Sequence, residues 1–408
     1  MENRPLWLKN EIQEYAWGSY TFIQNLLGEA HTDTPWAELW MGAHPKAPSK
    51  VWIRNEWQRL DRVIAAHPEA FLGHETARRF DNSLPYLFKV LAARQPLSIQ
   101  AHPDTEQARN GFERENHEGI PLTDPRRNYK DARHKPECLC ALTPFWAMKG
   151  FRPISEMVSL FSIACPESLS GATEFLKQSP HANGVQRFFE ALMTLPEKKI
   201  QQVIDEAAAN AMANQEKDDA FRWIKTLYEI YPEDIGILSP ILLNLVCLQP
   251  GEALFLRPGE MHAYLDGCGI EIMANSDNVL RGGLTAKHVD VEDLMRALDF
   301  APRSLEVLEP QAAAACESVY PAPAEEFRLS VVEVSQDCSY HASSPAGPEV
   351  LLVIEGEARL SWAGAQEEMH LSRGGSVLIP ASVGSYRIAG EARIYKAAVD
   401  GTSAAGSG

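Results

Sequence analysis

"GEALFLRPGEMHAYLDG", residues 251 to 267, is a short apolar run, a Pro-Gly turn and a second run that opens with a histidine. Phe255 and Leu256 stand just before Pro258 and Gly259, and Gly251, Gly259 and His262 fit the pattern G-x7-G-x2-H. Such runs divided by turn residues predict two strands joined by a tight loop, with the histidine delivered at the start of the second. The span recurs near the C-terminus in "GGSVLIPASVGSYRI", where Gly374, Ser382 and Ser385 keep the spacing and Leu378 and Ile379 precede Pro380. A serine in place of the histidine removes a side chain of metal-ligating type from the second copy.

Outward from these turns the chain divides by texture. From Met1 to about Gly150, short apolar runs such as "PLSIQ" and "ECLCAL" are punctuated by tryptophan, proline and glycine. They predict strands and loops with a few short helices, one of them in "RLDRVIAAHPEAF". Between Pro153 and Pro232 the period becomes helical, with Ile154, Met157, Leu160 and Phe161, then Phe221, Ile224, Leu227, Tyr228 and Tyr231 at helical spacing. The expected organisation is a first, mostly β domain in two segments, 1–152 and 235–308, a helical insertion over 153–234, a C-terminal domain over 309–400 and a disordered tail over 401–408.

The 408 residues carry 38 Lys plus Arg against 55 Asp plus Glu, a net charge of -17 that disfavours nucleic acid and anionic membranes as partners. No apolar stretch is long enough to cross a bilayer and no leader is evident at the N-terminus, so the expected compartment is the cytoplasm. The seven cysteines, without a repeated C-x-x-C pair, read as reduced core residues.

"LSIQAHPDT", residues 97 to 105, raises the chemical question. In a strand, Gln100 and His102 point to one face while Ile99 and Ala101 point to the other. On residue types alone, a hydrogen-bonded glutamine and a satisfied core histidine explain the pattern as well as a ligand pair does. Among the other histidines, His44, His117, His181, His288 and His370 lack a second ligand at i+2 or i+4 and read as loop or surface residues.

The turn at 251–262 resembles the second conserved motif of cupins, with Gln100-x-His102 in place of their H-x-H and Glu137 of "ARHKPECLCAL" as the glutamate. Together, "YAWGS" (15–19), "PWAELWMGAHPKAPS" (35–49), "LPYLFKVLAARQPLSIQAHPD" (84–104), "HKPE" (134–137), "GEMHAYLDG" (259–267) and "GIEIMANSDNVLRGGLTAKHVD" (269–290) resemble the type I phosphomannose isomerase family. The resemblance implies a mainly β fold with an α insertion: two cupin-like jelly-roll β-barrels plus a helical domain. It implies one Zn2+ per chain, held by Gln100, His102, Glu137 and His262. It also implies interconversion of D-mannose 6-phosphate and D-fructose 6-phosphate through an enediol, with a sugar phosphate as the sole expected partner and a monomer favoured. An amide among the ligands suits a catalytic zinc site better than a structural one.

The reaction sets three tasks: opening the sugar ring, moving a carbon-bound proton and stabilising the enediolate. Lys135, a lysine expected beside a divalent cation in a closed pocket, is the leading base, with Asp277 as its partner, Glu271 in reserve and His134 assisting ring opening. Arg281, followed by Gly282 and Gly283, offers a planar fork for phosphate, with Lys89 and Ser98 nearby and Trp17 as a wall of the sugar pocket. A metal cupin that oxidises a small molecule and a catalytically silent sugar-binding cupin remain as other function classes. Metal content and oxygen dependence discriminate them.

Overall fold

Gly251 and Gly374 both adopt left-handed backbone, with φ of 93° and 79°, and each leads two residues later into a four-residue strand, Ala253–Leu256 and Ser376–Ile379. A turn then opens a thirteen-residue strand in each copy, His262–Ala274 and Tyr386–Ala398. The copies differ inside the turn. The first keeps its left-handed residue at Gly259, where a Cβ would come within 2.9 Å of the Ala297 carbonyl oxygen. The second inserts a short 3-10 turn, Ala381–Val383, and moves the left-handed position to Gly384. Ser385 is therefore exposed, and the buried residue that opens the second long strand is Tyr386.

The computed structural model describes residues 3–164, 166–343, 345 and 347–400; the tail over 401–408 and Cys165 lie outside these. Its strands form an eleven-stranded and a ten-stranded sheet in which all the pairings among the named strands are antiparallel. The expectation of two jelly-roll barrels is not met, because neither sheet closes into a barrel. With the helical insertion, the architecture is a mixed α/β fold. The reason lies at one edge: Leu6–Lys9 pairs with Ser376–Ile379 through Leu6↔Leu378, then continues to Lys50–Ile53 and Glu56–Arg59. Once that edge's backbone donors and acceptors are satisfied by an added strand, the sheet extends.

Helices fill 154–242, from Ile154–Ala164 to Ser239–Leu242, and bury the periodic residues Met157, Leu160, Phe161, Phe221, Ile224 and Leu227. This apolar face does not pack on itself alone. Its core includes Ile99, Ala101, Met148, Met261 and Ala263, so the helices brace the back of the strands that present Gln100 and His262.

The strand Ile99–Ala101 is short because Pro103 follows it and Asp104 caps the next helix, Thr105–His117. The Asp104 carboxylate accepts from Gln107 N at 2.8 Å, while the Gln107 side chain accepts from Asp104 N at 3.0 Å. The cysteine expectation fails for one pair: Cys316 and Cys338 are joined in a disulfide, whereas Cys138, Cys140, Cys247 and Cys268 are free. Strand pairing brings these two residues, 22 apart in sequence, to a Cα separation of 6.2 Å, a proximity no local spacing predicts.

Candidate metal centre and its cavity

His262 opens its strand directly opposite Gln100, and Gln100 lies opposite Arg281 on its other side. Glu137 opens the strand Glu137–Ala141 and pairs with Leu256, the last residue of the strand before the turn that leads to His262. The Gly259 N–H donates to the His102 carbonyl at 2.8 Å, tying the turn that precedes His262 to the chain that carries His102.

One ligand atom from each of His102, Glu137 and His262 lies within 4.8 Å of the others, and the three residues are only 1%, 3% and 2% exposed. The Glu137 oxygens stand 3.3 Å from His102 Nε2 and 3.5 Å from His262 Nε2. Each ring turns its Nδ1 to a backbone carbonyl, Asn278 for His102 at 2.8 Å and Glu260 for His262 at 3.0 Å. A carbonyl only accepts, so Nδ1 carries the proton and the Nε2 lone pairs face inward.

His102 Nε2 is buried without a hydrogen-bond partner, an orphan that a cation in the cluster would satisfy. Burial and the neighbouring Lys135 lower the His102 pKa to about 4, keeping the imidazole neutral as a ligand must be. Burial works against ionisation of Glu137, yet Lys135 and His102 hold its carboxyl well below the ordinary range. Neutral imidazoles and an ionised carboxylate form a donor set that fits zinc.

The cluster heads a cavity of about 400 Å³ whose lining includes Trp17, Ser98, Gln100, Lys135, Glu137 and Arg281. Lys135 Nζ is 2.9 Å from Glu137. Lys89 lies between Glu271 at 2.9 Å and Glu38 at 3.4 Å, and the Tyr264 hydroxyl donates to Glu271 at 3.0 Å. Burial raises the Glu271 pKa against the pull of Lys89. Arg281 makes no ion pair among the described residues and shares its end of the cavity with Lys287 and Thr285.

Two expected partnerships differ in the structure. Asp277 does not pair with Lys135; its carboxylate reaches Lys46 at 2.9 Å and His44 at 3.4 Å. His134 does not line the cavity, because its Nε2 pairs with Glu326 at 2.6 Å. No turn separates His134 from Lys135, and neighbouring side chains on an extended chain point to opposite sides, so adjacency in sequence did not bring both to the cavity.

Glu38, Trp40, His44, Lys46, Tyr264 and Lys287 also line the cavity and were missed by sequence reasoning. His44, read as a surface or loop histidine, is 3% exposed, while His117, His181, His288 and His370 are exposed. Tyr264 was legible, since it lies two residues after His262 on one strand face. Glu38 carried no local signal; only the pairing of its strand with Tyr86–Ala93 sets it near Lys89.

Residues 6–154 match the catalytic domain of type I phosphomannose isomerases, residues 167–243 match that family's helical insertion domain, and residues 317–399 match the mannose-6-phosphate isomerase cupin domain. The chain belongs to the type I phosphomannose isomerase family. It is 40% identical to the mannose-6-phosphate isomerase of Shigella flexneri over 95% of this chain and 98% of that one. It is 34% identical to the human enzyme over 91% of this chain and 92% of that one. A crystal structure of mannose 6-phosphate isomerase in a zinc-bound holo form superposes with a TM-score of 0.89 at 37% identity, covering 97% of this chain and 99% of that one. A single-substitution mutant of phosphomannose isomerase from Salmonella typhimurium superposes with a TM-score of 0.90, with the same identity and coverage of 37%, 97% and 99%.

Proposed function

We propose that this chain is a zinc-dependent isomerase that interconverts D-mannose 6-phosphate and D-fructose 6-phosphate through an enediol. The observation that carries the reading is the buried His102, Glu137 and His262 cluster at the head of a cavity that also presents Arg281, which makes no ion pair among the described residues. His102, Glu137 and His262 would hold one zinc, with Gln100 as the fourth ligand. Bound zinc supplies a Lewis acid that polarises the oxygens at C1 and C2 of the sugar.

Lys135 is the group we assign to proton movement: as the free amine it takes the proton from C2 and as the ammonium it returns it at C1, while the hydroxyl proton on the C2 oxygen passes to the C1 oxygen. Its 2.9 Å contact with Glu137 holds Nζ at the ligand end of the cavity. Arg281 receives the phosphate, aided by Lys287, because its guanidinium is not committed to a carboxylate. Lys89, Glu271 and Tyr264 form a fixed donor and acceptor array for the sugar hydroxyls, and Trp17 and Ser98 close the side of the cavity. Glu271 stays in reserve as the base. Asp277, held at the rim by Lys46 and His44, orients that rim and takes no proton from the sugar. Ring opening is not assigned to His134.

We also infer a cytoplasmic monomer acting on a soluble metabolite. Among the described residues no helix is long and apolar enough to cross a membrane, and the charge of -17 disfavours nucleic acid. The Cys316–Cys338 bond is the observation that stands against a reducing compartment.

A coupled assay on mannose 6-phosphate with metal analysis of the same preparation tests the reading. One zinc per chain, turnover lost on chelation and restored by zinc, and loss of both metal and turnover in His262→Ala are expected. Full turnover in metal-free protein would refute it.

A further inference from the structure

Both imidazoles of the metal centre turn Nδ1 to a backbone carbonyl, and in both cases the residue that offers the carbonyl is held by its own buried side chain. Asn278 serves His102: its amide donates to the Asp131 and Arg133 carbonyls at 2.8 Å each and accepts from Lys130 N at 2.6 Å. Glu260 serves His262, and its carboxylate accepts from Arg257 N at 2.9 Å, which closes the turn over Pro258 and Gly259. The same carboxylate oxygen, Oε2, lies 3.4 Å from Lys149 Nζ.

Lys149 stands opposite His262 on the strand Phe145–Phe151, and the next residue, Gly150, donates its N–H to the Met261 carbonyl at 2.8 Å. Lys149 and Glu260 are 6% and 7% exposed. They face a space of about 90 Å³, far below the ~300 Å³ at which small-molecule sites begin, and it shares no lining residue with the cavity of the metal centre. The ion pair therefore serves neither the substrate directly nor a second ligand.

Stability alone is a weak reason for such a pair. Two buried charges lose their hydration, and replacing them by apolar residues of similar volume is often neutral or stabilising. What the pair adds is direction. It ties the Glu260 carboxylate to the facing strand, and with it the turn over residues 257–260 and the carbonyl that sets the rotation and tautomer of the His262 ring. We propose that Lys149 is a positioning residue for the metal centre, acting through Glu260 to hold His262 Nε2 toward His102 and Glu137, a role that rests on the zinc reading above.

The test uses the full chain, stripped of metal and titrated with zinc against a chromogenic chelator. Lys149→Met should raise the zinc dissociation constant about 10–100-fold, the usual cost of losing an outer partner of a metal-binding histidine. Nitrogen–proton correlation spectra of histidine-labelled, zinc-loaded protein should show faster exchange of the His262 Nδ1 proton. Exchange at His102 should stay as in the parent, because Asn278 is anchored separately by Lys130, Asp131 and Arg133. Lys149→Met leaves Glu260 charged and unpaired, so a double variant, Lys149→Met with Glu260→Gln, keeps the test valid if the single one does not fold. The double variant retains an acceptor for Arg257 N; it should unfold at the parent's urea midpoint and still bind zinc about tenfold more weakly. Parental zinc affinity in either variant, or exchange accelerated equally at both histidines, would overturn the proposal. A parent that takes up no zinc would instead fault the zinc reading.

Discussion

Replacing Lys89 by methionine isolates the electrostatics of the sugar pocket. Methionine keeps much of the aliphatic stem and removes the ammonium, leaving Glu38 and Glu271, 7% and 3% exposed, to face one another without a cation. Breaking a buried pair by removing one partner costs about 3–5 kcal/mol, because the surviving charge has lost both water and its counter-ion. Glu271 is already pushed above its ordinary range by burial, with Lys89 as the opposing influence, so the variant raises it further. A carboxyl whose folded pKa lies above its unfolded value binds more protons when folded, and stability rises as pH falls through that folded pKa toward the unfolded value of about 4.3. Urea unfolding followed by tryptophan fluorescence should therefore show a loss of about 3–5 kcal/mol at pH 7 that shrinks at pH 5. Glu38→Gln and Glu271→Gln added to Lys89→Met should recover most of it. A Lys89→Met protein within about 0.5 kcal/mol of the parent at pH 7, the range of an ordinary surface change, would refute the reasoning.

Lys135→Met should lower kcat by about 10²–10⁴-fold, the usual contribution of general acid–base catalysis, with zinc content unchanged by elemental analysis; normal kcat would pass the role to Glu271. Arg281→Ala should raise KM for the sugar phosphate by about 10–100-fold, corresponding to lost charge-assisted hydrogen bonds, and a KM equal to the parent's would remove Arg281 from phosphate binding. His134 has its pKa raised by the Glu326 hydrogen bond, so the pair stabilises the fold below the unfolded pKa of about 6.5 and the contribution is lost as pH rises through the folded value. Glu326→Gln should remove that pH-dependent part, under about 1 kcal/mol for a partly exposed pair, and leave kcat within about twofold; a large fall in kcat would return His134 to the chemistry.

What the sequence determined by itself is local. The turn at Pro258 and Gly259, the strand opened by His262, the helical period over 154–232 and the cap at Asp104 depend on residues a few positions apart, where backbone sterics and side-chain period act directly. The resemblance to the family's motifs picked out Gln100, His102, Glu137 and His262, of which the structure brings His102, Glu137 and His262 into one cluster. Which elements become neighbours was not legible locally. Leu6–Lys9 extends the C-terminal sheet instead of leaving it to close, Glu38 meets Lys89, Asp277 turns to Lys46, and Cys316 finds Cys338. Each of these pairings joins residues whose separation along the chain carries no preferred distance. Only strand register and the competition of sheet edges for backbone hydrogen bonds decide them, and both are properties of the assembled tertiary structure.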